Sequence, residues 1–328
     1  MTVRRLDPGD QQLLDPLIAA YPFKPYRNYR MLPRKAQDAV LREEISQTLA
    51  HDDGLVFLAE DGPAQVALVY RRLDWDSQFF GVPMGRVEYL LSTEPPPRAL
   101  VDAALTELVE ACREAGVWHL TARADVADLF TVGLLETHGF RLMDSLVTYV
   151  TRPGKDQPLD VREVGTIRPF RPEDGPAIVD IAREAYQGFR GRFHLDPNIP
   201  DTRSDELYVE WARQCIGARM ADMVLVSEGP QGRVLGFLAF RRREPVSTVG
   251  GHVVFGGGLG ACRRDTPGAY VGLIRAGTVW AHERGGVAEC QTQNYNFPTV
   301  RIYEAVGAHY VRAEYTLHAW LGPAHDLW

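Results

Sequence analysis

Apolar positions along the chain switch between two periods, and the switching runs through the same order twice. Residues 54–73 (GLVFLAEDGPAQVALVYRRL) are apolar on either side of an Asp-Gly pair, which predicts two strands around a tight turn. Residues 86–91 (RVEYLL) predict a further strand. Residues 99–116 carry apolar side chains at helical spacing and stop at Gly116, as a helix with a glycine end does. Residues 118–125 predict a strand, 130–140 a short helix ending at Gly139, and 145–152 a closing strand.

The second half repeats this order. It predicts a helix over 173–186 with acids at its start, a hairpin over 223–243, and a strand over 252–263 that contains a triple glycine. A helix over 268–286, a strand over 287–293, a helix over 297–307 and a strand over 312–321 follow. A polar stretch with two prolines, 152–166, separates the halves. A chain of 328 residues is also longer than one compact core usually organises. The expected fold is therefore α/β (α+β): two domains, each a mixed, mostly antiparallel sheet flanked by helices. Their expected bounds are 1–152 and 167–328, with a linker at 153–166. The first fifty residues have no counterpart in this reading.

Composition narrows the classes. Apolar residues make up 45% and charged residues 24%, as in a soluble globular protein. No apolar run approaches the roughly 18–20 residues that span a membrane, and the first residues lack the apolar centre of a leader peptide. These readings predict a cytoplasmic protein with no membrane partner. The net charge of −7 argues against nucleic acid. Cys112, Cys215, Cys262 and Cys290 are far apart and show no ligand spacing, so reduced thiols and no metal site are expected.

One stretch raises a chemical question. In TQNYNFPTVRIYEAVGAHY (292–310), Asn296 and Tyr303 lie seven residues apart and share one helix face. Asn296, with Pro298 just inside the helix, predicts an N-cap. The face is either a core seam or the holder of an active-site tyrosine.

Three stretches resemble one family. LDWDSQFFGVPMGRV (73–87) is similar to a tryptophan-acid-FFG signature. GRFHLDPNIPDTRSDELYVEWARQCIGA (191–218) is similar to an arginine-phenylalanine segment and the tyrosine/tryptophan helix after it. TQNYNFPTVRIYEAVGA (292–308) matches a TQ…N…Y…GA segment without a gap. Together they resemble the GNAT (Gcn5-related) N-acetyltransferase superfamily in tandem, and within it the dTDP-fucosamine acetyltransferases, which acetylate an amino sugar carried on a nucleotide.

The resemblance implies acetyl-CoA as acyl donor and a small-molecule amine as acceptor. The family's phosphate loop, Arg/Gln-x-x-Gly-x-Gly/Ala, falls on RRDTPGAY (263–270). Gly268 fits its first glycine, Tyr270 stands at the second, and Arg264 sits one residue early. The stretch Arg263, Arg264, Gly268, Ala269 and Tyr270 is thus a candidate phosphate site at a helix start, or an ordinary strand-helix turn. The glycine-rich strand leading to Leu259, Gly260, Ala261 and Cys262 permits a bulge whose N–H groups aim at the acyl oxygen; it also reads as a plain edge strand. The family places a general-acid tyrosine at Tyr303 and a contact to the pantetheine arm at Asn296.

The base is open. The strand 253–262 has no carboxylate, which leaves His252, Glu289, His194 or an ordered water. For the acceptor, Arg190, Arg192 and His194 are candidates for a diphosphate, and Phe193, Tyr208 or Trp211 for stacking on a sugar or base. The alternative is a charged loop followed by a helix with its aromatic face in the core. Trp75, Phe79 and Phe80 read as core aromatics. FKPYRNYRMLPRK (23–35), with five basic residues and no acid, reads as a solvated basic segment or an attractor for phosphate.

The first half departs from the pattern at two places. Its turn STEPPPRAL (92–100) has no glycine and three prolines, which removes N–H donors. Leu135 stands where Tyr303 would align. The second half is therefore expected to carry the chemistry, by direct attack of the amine, in a monomer built as a pseudo-dimer or in a homodimer. The rival readings are transfer to another amine (aminoglycoside-like, amino acid or peptide) and a non-catalytic acyl-CoA-binding module.

Overall fold

The computed structural model describes residues 1–92, 96–153 and 164–322. The first half runs β1 (Thr2–Arg5), α1 (Asp15–Ala20), α2 (Arg34–Leu49), β2 (Leu55–Asp61), β3 (Ala64–Arg72), α3 (Asp74–Phe80), β4 (Met84–Ser92), α4 (Arg98–Glu114), β5 (His119–Asp125), α5 (Leu129–Thr137) and β6 (Arg141–Val150). The second runs β7 (Thr166–Pro169), α6 (Gly175–Tyr186), α7 (Asp201–Ile216), β8 (Met223–Glu228), β9 (Val234–Arg242), β10 (Val254–Cys262), α8 (Gly268–Glu283), β11 (Val287–Gln293), α9 (Phe297–Ala305) and β12 (His309–Trp320).

The first fifty residues have a counterpart after all. β1, α1 and α2 open the first half as β7, α6 and α7 open the second. Both openings use one local device: the Asp7 N–H donates to the Asp10 carboxylate at 3.1 Å, and the Arg171 N–H to the Asp174 carboxylate at 2.8 Å. RRLDPGD (4–10) and RPFRPED (168–174) are its trace in the sequence.

Two compact units result: Met1–Asp144 with Glu314–Trp328, and Ser145–Ala313. They differ from a simple division between halves because the closing strands are exchanged. Residues of β12 pair antiparallel with β5, Glu314 opposite Asp125 through Trp320 opposite His119. Residues of β6 pair antiparallel with β11, Glu289 opposite Val150 through Gln293 opposite Leu146. Alternation along a strand fixes which face is buried and leaves the neighbouring strand unspecified, so the pattern of either closing strand fits either sheet. The expected linker runs to 166, but Thr166 already begins β7, and residues 154–163 lie outside the described residues.

In unit 1 the strands lie in the order β1-β2-β3-β4-β5-β12, with β4 and β5 parallel. Unit 2 has β7-β8-β9-β10-β11-β6, with β10 and β11 parallel. β2 and β9 are nearly continuous apolar runs because helices cover both faces of each sheet. Val56 and Leu58 pack with Leu17 and Ile45 of α1 and α2, while Leu55 and Phe57 pack with Leu105 and Leu108 of α4. In unit 2, Phe237 and Ala239 meet Ile181 and Ala212 of α6 and α7, and Leu238 and Phe240 meet Leu273 and Ile274 of α8.

The basic stretch 23–35 braces unit 1, contrary to a solvated segment. Lys24 is 3% exposed; its Nζ donates to the carbonyls of Tyr21 (2.6 Å) and Ala19 (3.1 Å) and pairs with Asp38. Arg27 pairs with Asp125 at the end of β5, at 2.8 Å. Phe80 is core, whereas Trp75 and Phe79 stack on one another half-buried. No helix among the described residues is long and apolar enough to cross a membrane.

Candidate active site

Unit 2 contains a split in its sheet. β10 and β11 pair only where Val254, Phe255 and Gly256 meet Val287, Ala288 and Glu289. Both strands continue, to Cys262 and Gln293, with no further pairing to each other among the described residues. On their outer sides β10 keeps its ladder with β9 as far as Cys262, and β11 keeps β6 as far as Gln293. A bulge between Gly257 and Gly260 helps β10 turn away. The result is a gap lined by two strand edges that no longer pair with each other.

Two tyrosines hold these edges. The Val287 N–H donates to the Val253 carbonyl at 3.0 Å, so alternate residues 287, 289 and 291 face β10. The Tyr303 hydroxyl, from α9, donates to the Gln291 carbonyl at 3.1 Å. On the opposite edge the Tyr186 hydroxyl, from the last residue of α6, donates to the Gly260 carbonyl at 2.8 Å. Tyr270, in the first turn of α8, packs in the same cluster as Tyr303.

Burial raises the Tyr303 phenol well above its ordinary range, and neighbouring Tyr270 and Cys290 add to the shift. Tyr186 and Tyr270 are raised by burial as well. All three therefore stay protonated at working pH and act as donors. Burial also pushes the Cys290 thiol up to about 12 and raises Cys262, so neither is an activated nucleophile.

The glycines of β10 have separate reasons. A Cβ on Gly260 would lie 2.5 Å from Leu238 Cδ1 and 3.1 Å from the Tyr270 ring. A Cβ on Gly256 would lie 2.0 Å from Arg243 Nε. That arginine lies over the strand and pairs with Glu289 at 3.2 Å.

The proposed bases are placed differently from expectation. Glu289 is buried at the closed end of the gap with its carboxylate engaged by Arg243, which makes it a strut of the sheet. His252 is exposed on the bend before β10, at the paired end and away from the gap. Leu259 and Ala261 point into the apolar layer against α6 and α7, leaving their backbone as the only part available to a ligand.

The loop between β10 and α8 keeps its basic residues but uses them as braces. The Arg263 N–H and Nε donate to the carbonyls of Leu235 and Val234, both at 2.8 Å, and Arg264 donates to the Glu184 carbonyl at 2.9 Å. The Cys262 thiol lies 3.8 Å from the Pro267 carbonyl. Ala269 is fully buried, and a Cβ on Gly268 would meet Val164 at 2.9 Å. Asn296 occupies the N-cap position of α9, yet its side chain does not cap. Its amide donates to the Thr292 hydroxyl at 3.0 Å.

The segment between α6 and α7 spans the mouth of the gap. It is tied to β10 by Tyr186 and to the turn after β11 by the Tyr295 hydroxyl, which donates to the Arg190 carbonyl. Behind it, His194 Nε2 lies 2.9 Å from Asp205 Oδ1, which also accepts the Gly188 N–H at 2.8 Å. The Tyr208 ring stacks on Tyr186 at 4.4 Å and runs nearly parallel to His194 at 6.1 Å and Trp211 at 6.4 Å. Tyr208 and Trp211 thus spend their faces on neighbouring rings, which fits support of the wall better than stacking on a ligand. The Arg192 guanidinium lies over Phe193 at 4.3 Å. Sequence reasoning passed over Tyr186, Tyr295 and Asp205; the helix-end position of Tyr186 looks like any amphipathic terminus.

The acyl donor implied by the sequence resemblance would meet the strand edges at Gly260 and Gln291 and the start of α8.

No family model matches the chain. It is 25% identical over 154 residues to the spore coat polysaccharide biosynthesis protein SpsD of Bacillus subtilis (strain 168), which covers 47% of this chain and 50% of that protein. The chain thus spans about half the length of this curated relative. Among solved structures, a GCN5-related N-acetyltransferase from Sphaerobacter thermophilus superposes with a TM-score of 0.60 at 15% identity, over 98% of this chain and 96% of that one. A tandem GNAT protein from the clavulanic acid biosynthesis pathway, solved without AcCoA, gives a TM-score of 0.54 at 14% identity, over 98% and 99%. The chain has the GCN5-related N-acetyltransferase fold, in tandem.

Proposed function

We propose that unit 2 transfers an acetyl group from acetyl-CoA to the amine of a small molecule, with unit 1 as a non-binding companion. The observation that carries this reading is the split between β10 and β11, with a tyrosine hydroxyl on each free edge and a helix start at its end. The donor supplies an activated thioester. Around it the chain's own groups do three things. Backbone edges orient an extended arm, the segment 186–190 excludes water from the mouth, and the protonated Tyr303 offers its hydrogen to a leaving sulfur. Because the Tyr303 phenol is raised, it acts by donating a hydrogen bond; full proton loss would be uphill to a thiolate of ordinary pKa. Among the described residues the candidate carboxylate Glu289 is ion-paired, so water is the proposed acceptor of the amine proton.

The amine is proposed to sit on a nucleotide-linked sugar. Support comes from the family resemblance of 191–218 and from a relative that works in polysaccharide biosynthesis. A second reading, an acyl-CoA-binding module without turnover, is favoured by one feature: Tyr270 stands where the loop pattern has a small residue, and its ring lies against Gly260.

Free thiol released from acetyl-CoA with a panel of amines tests both. Release with amino sugars or their nucleotide conjugates supports the first reading. Binding of acetyl-CoA with no release by any amine supports the second.

A further inference from the structure

We propose that Tyr186 is a second catalytic tyrosine, the side-chain donor for the acyl oxygen, working opposite Tyr303. The inference rests on the acyl-transfer reading above and adds a residue that neither sequence pattern nor resemblance pointed to.

Its position carries the argument. The Tyr186 hydroxyl lies in the gap, 2.8 Å from the Gly260 carbonyl, at the bulged part of β10. Tyr303 approaches from the other edge, through the Gln291 carbonyl. The two rings pack on opposite faces of the sheet, Tyr186 with Phe237 and Ala239 and Tyr303 with Leu238 and Phe240, so their hydroxyls reach the two edges from opposite sides. An acyl group between the edges has two sites of developing charge, the carbonyl oxygen and the sulfur, and the gap offers a protonated phenol to each.

The ring is also fixed as a positioned donor must be. Tyr208 stacks on it at 4.4 Å with the planes 5° apart, and Phe189 meets it edge-on at 5.5 Å. Tyr208 packs close over Gly191, where a Cβ would lie 2.4 Å from its hydroxyl and push against the stack. The hydroxyl hydrogen alone stays free to rotate. In the structure it points to Gly260. When an amide of the arm pairs with the strand edge, it can turn to the acyl oxygen.

The step balances as follows. The amine lone pair forms the N–C bond and the carbonyl π pair moves onto oxygen, where Tyr186 donates a hydrogen bond. That pair returns as the C–S bond breaks, with sulfur leaving on the hydrogen bond from Tyr303. The amine nitrogen loses its proton to water, and sulfur regains one from water. Neither phenol is consumed.

The test uses the full chain and Tyr186→Phe, which keeps the ring stack. Turnover should fall about 10²-fold, the effect of losing one such donor, while affinity for a non-reactive thioether analogue of acetyl-CoA stays within about 2-fold. Isotope-edited infrared spectroscopy of bound acetyl-CoA, carbon-13 labelled at the carbonyl and without acceptor, gives a signature that packing alone would not. The carbonyl band should shift to lower frequency on wild-type protein and shift back in Tyr186→Phe. Unchanged turnover, or an unshifted band on wild type, overturns the role of Tyr186 and leaves the acyl-transfer reading standing. Wild-type protein that fails to bind the analogue overturns both.

Discussion

In unit 1 the parallel pair holds from Met84 opposite His119 to Val87 opposite Ala122; in unit 2 it holds from Val254 opposite Val287 to Gly256 opposite Glu289. Beyond those points β4 runs to Ser92 and β5 to Asp125, as β10 and β11 run on in unit 2. The same frame therefore occurs twice with different contents. In unit 1 the position matching Tyr303 is Leu135, 2% exposed in an apolar cluster with Leu90, Leu100 and Val101. Helix α4 is entered through Pro96 and Pro97, which offer no N–H, and residues 93–95 of that turn lie outside the described residues. In unit 2 the edges carry hydroxyls and the helix opens on Gly268. The split thus belongs to the fold, and the proposed chemistry to a few side chains placed on it.

The largest effect should come from exchanging the contents of the two gaps. Tyr303→Phe is expected to lower kcat by about 10²-fold or more, with acetyl-CoA affinity nearly unchanged, by steady-state kinetics and equilibrium binding. Equal loss in both would make Tyr303 a packing residue like Leu135. The mirror experiment, Leu135→Ala, should cost about 2–5 kcal/mol of stability in denaturant unfolding and leave KM unchanged. A change in KM there would mean that unit 1 touches a ligand.

The repeat that makes this comparison possible is largely visible in the alternation of period, because strands covered on both faces and helices between glycine stops leave strong patterns. Three things were not visible. The opening β1, α1 and α2 hid because β1 is four residues long and mostly exposed, and only the echo of RRLDPGD in RPFRPED marks it. The exchange of β6 and β12 hid because period records faces and says nothing of neighbours. Lys24 and Arg27 read as solvated charges, yet Lys24 is buried against the carbonyls of Tyr21 and Ala19, and Arg27 pairs with Asp125, far along the chain. At the gap, the glycines and Tyr303 were legible. Tyr186 was not, since its role depends on a carbonyl 74 residues away.

A smaller effect separates two glycines of β10. Gly260→Ala places a Cβ 2.5 Å from Leu238, whereas Gly257→Ala meets its nearest neighbour at an ordinary 3.5 Å. The first should lose about 1–3 kcal/mol of stability and weaken analogue binding, and the second should do neither, by thermal melts and titration. Similar behaviour of the two would place the bulge elsewhere.

The smallest effect concerns the paired openings of the units. Hydrogen bonds from Arg168 hold the Asp174 carboxyl below its ordinary range. A depressed carboxyl contributes stability that is complete above its unfolded value, about 4, and lost as pH falls through the lower folded value. Asp174→Asn should therefore flatten the acid limb of the stability curve below about pH 4. An acid limb unchanged in Asp174→Asn would mean that the hydrogen bonds from Arg168 add nothing to the capping device.

A structure of the full chain with bound CoA would show whether one gap works in two similar units. The expected result is one CoA per chain, lying between β10 and β11 with its phosphates at residues 263–270 and its sulfur near Tyr303. A CoA between β4 and β5, or a gap in unit 2 that stays closed by Tyr270 at saturating CoA, would contradict it.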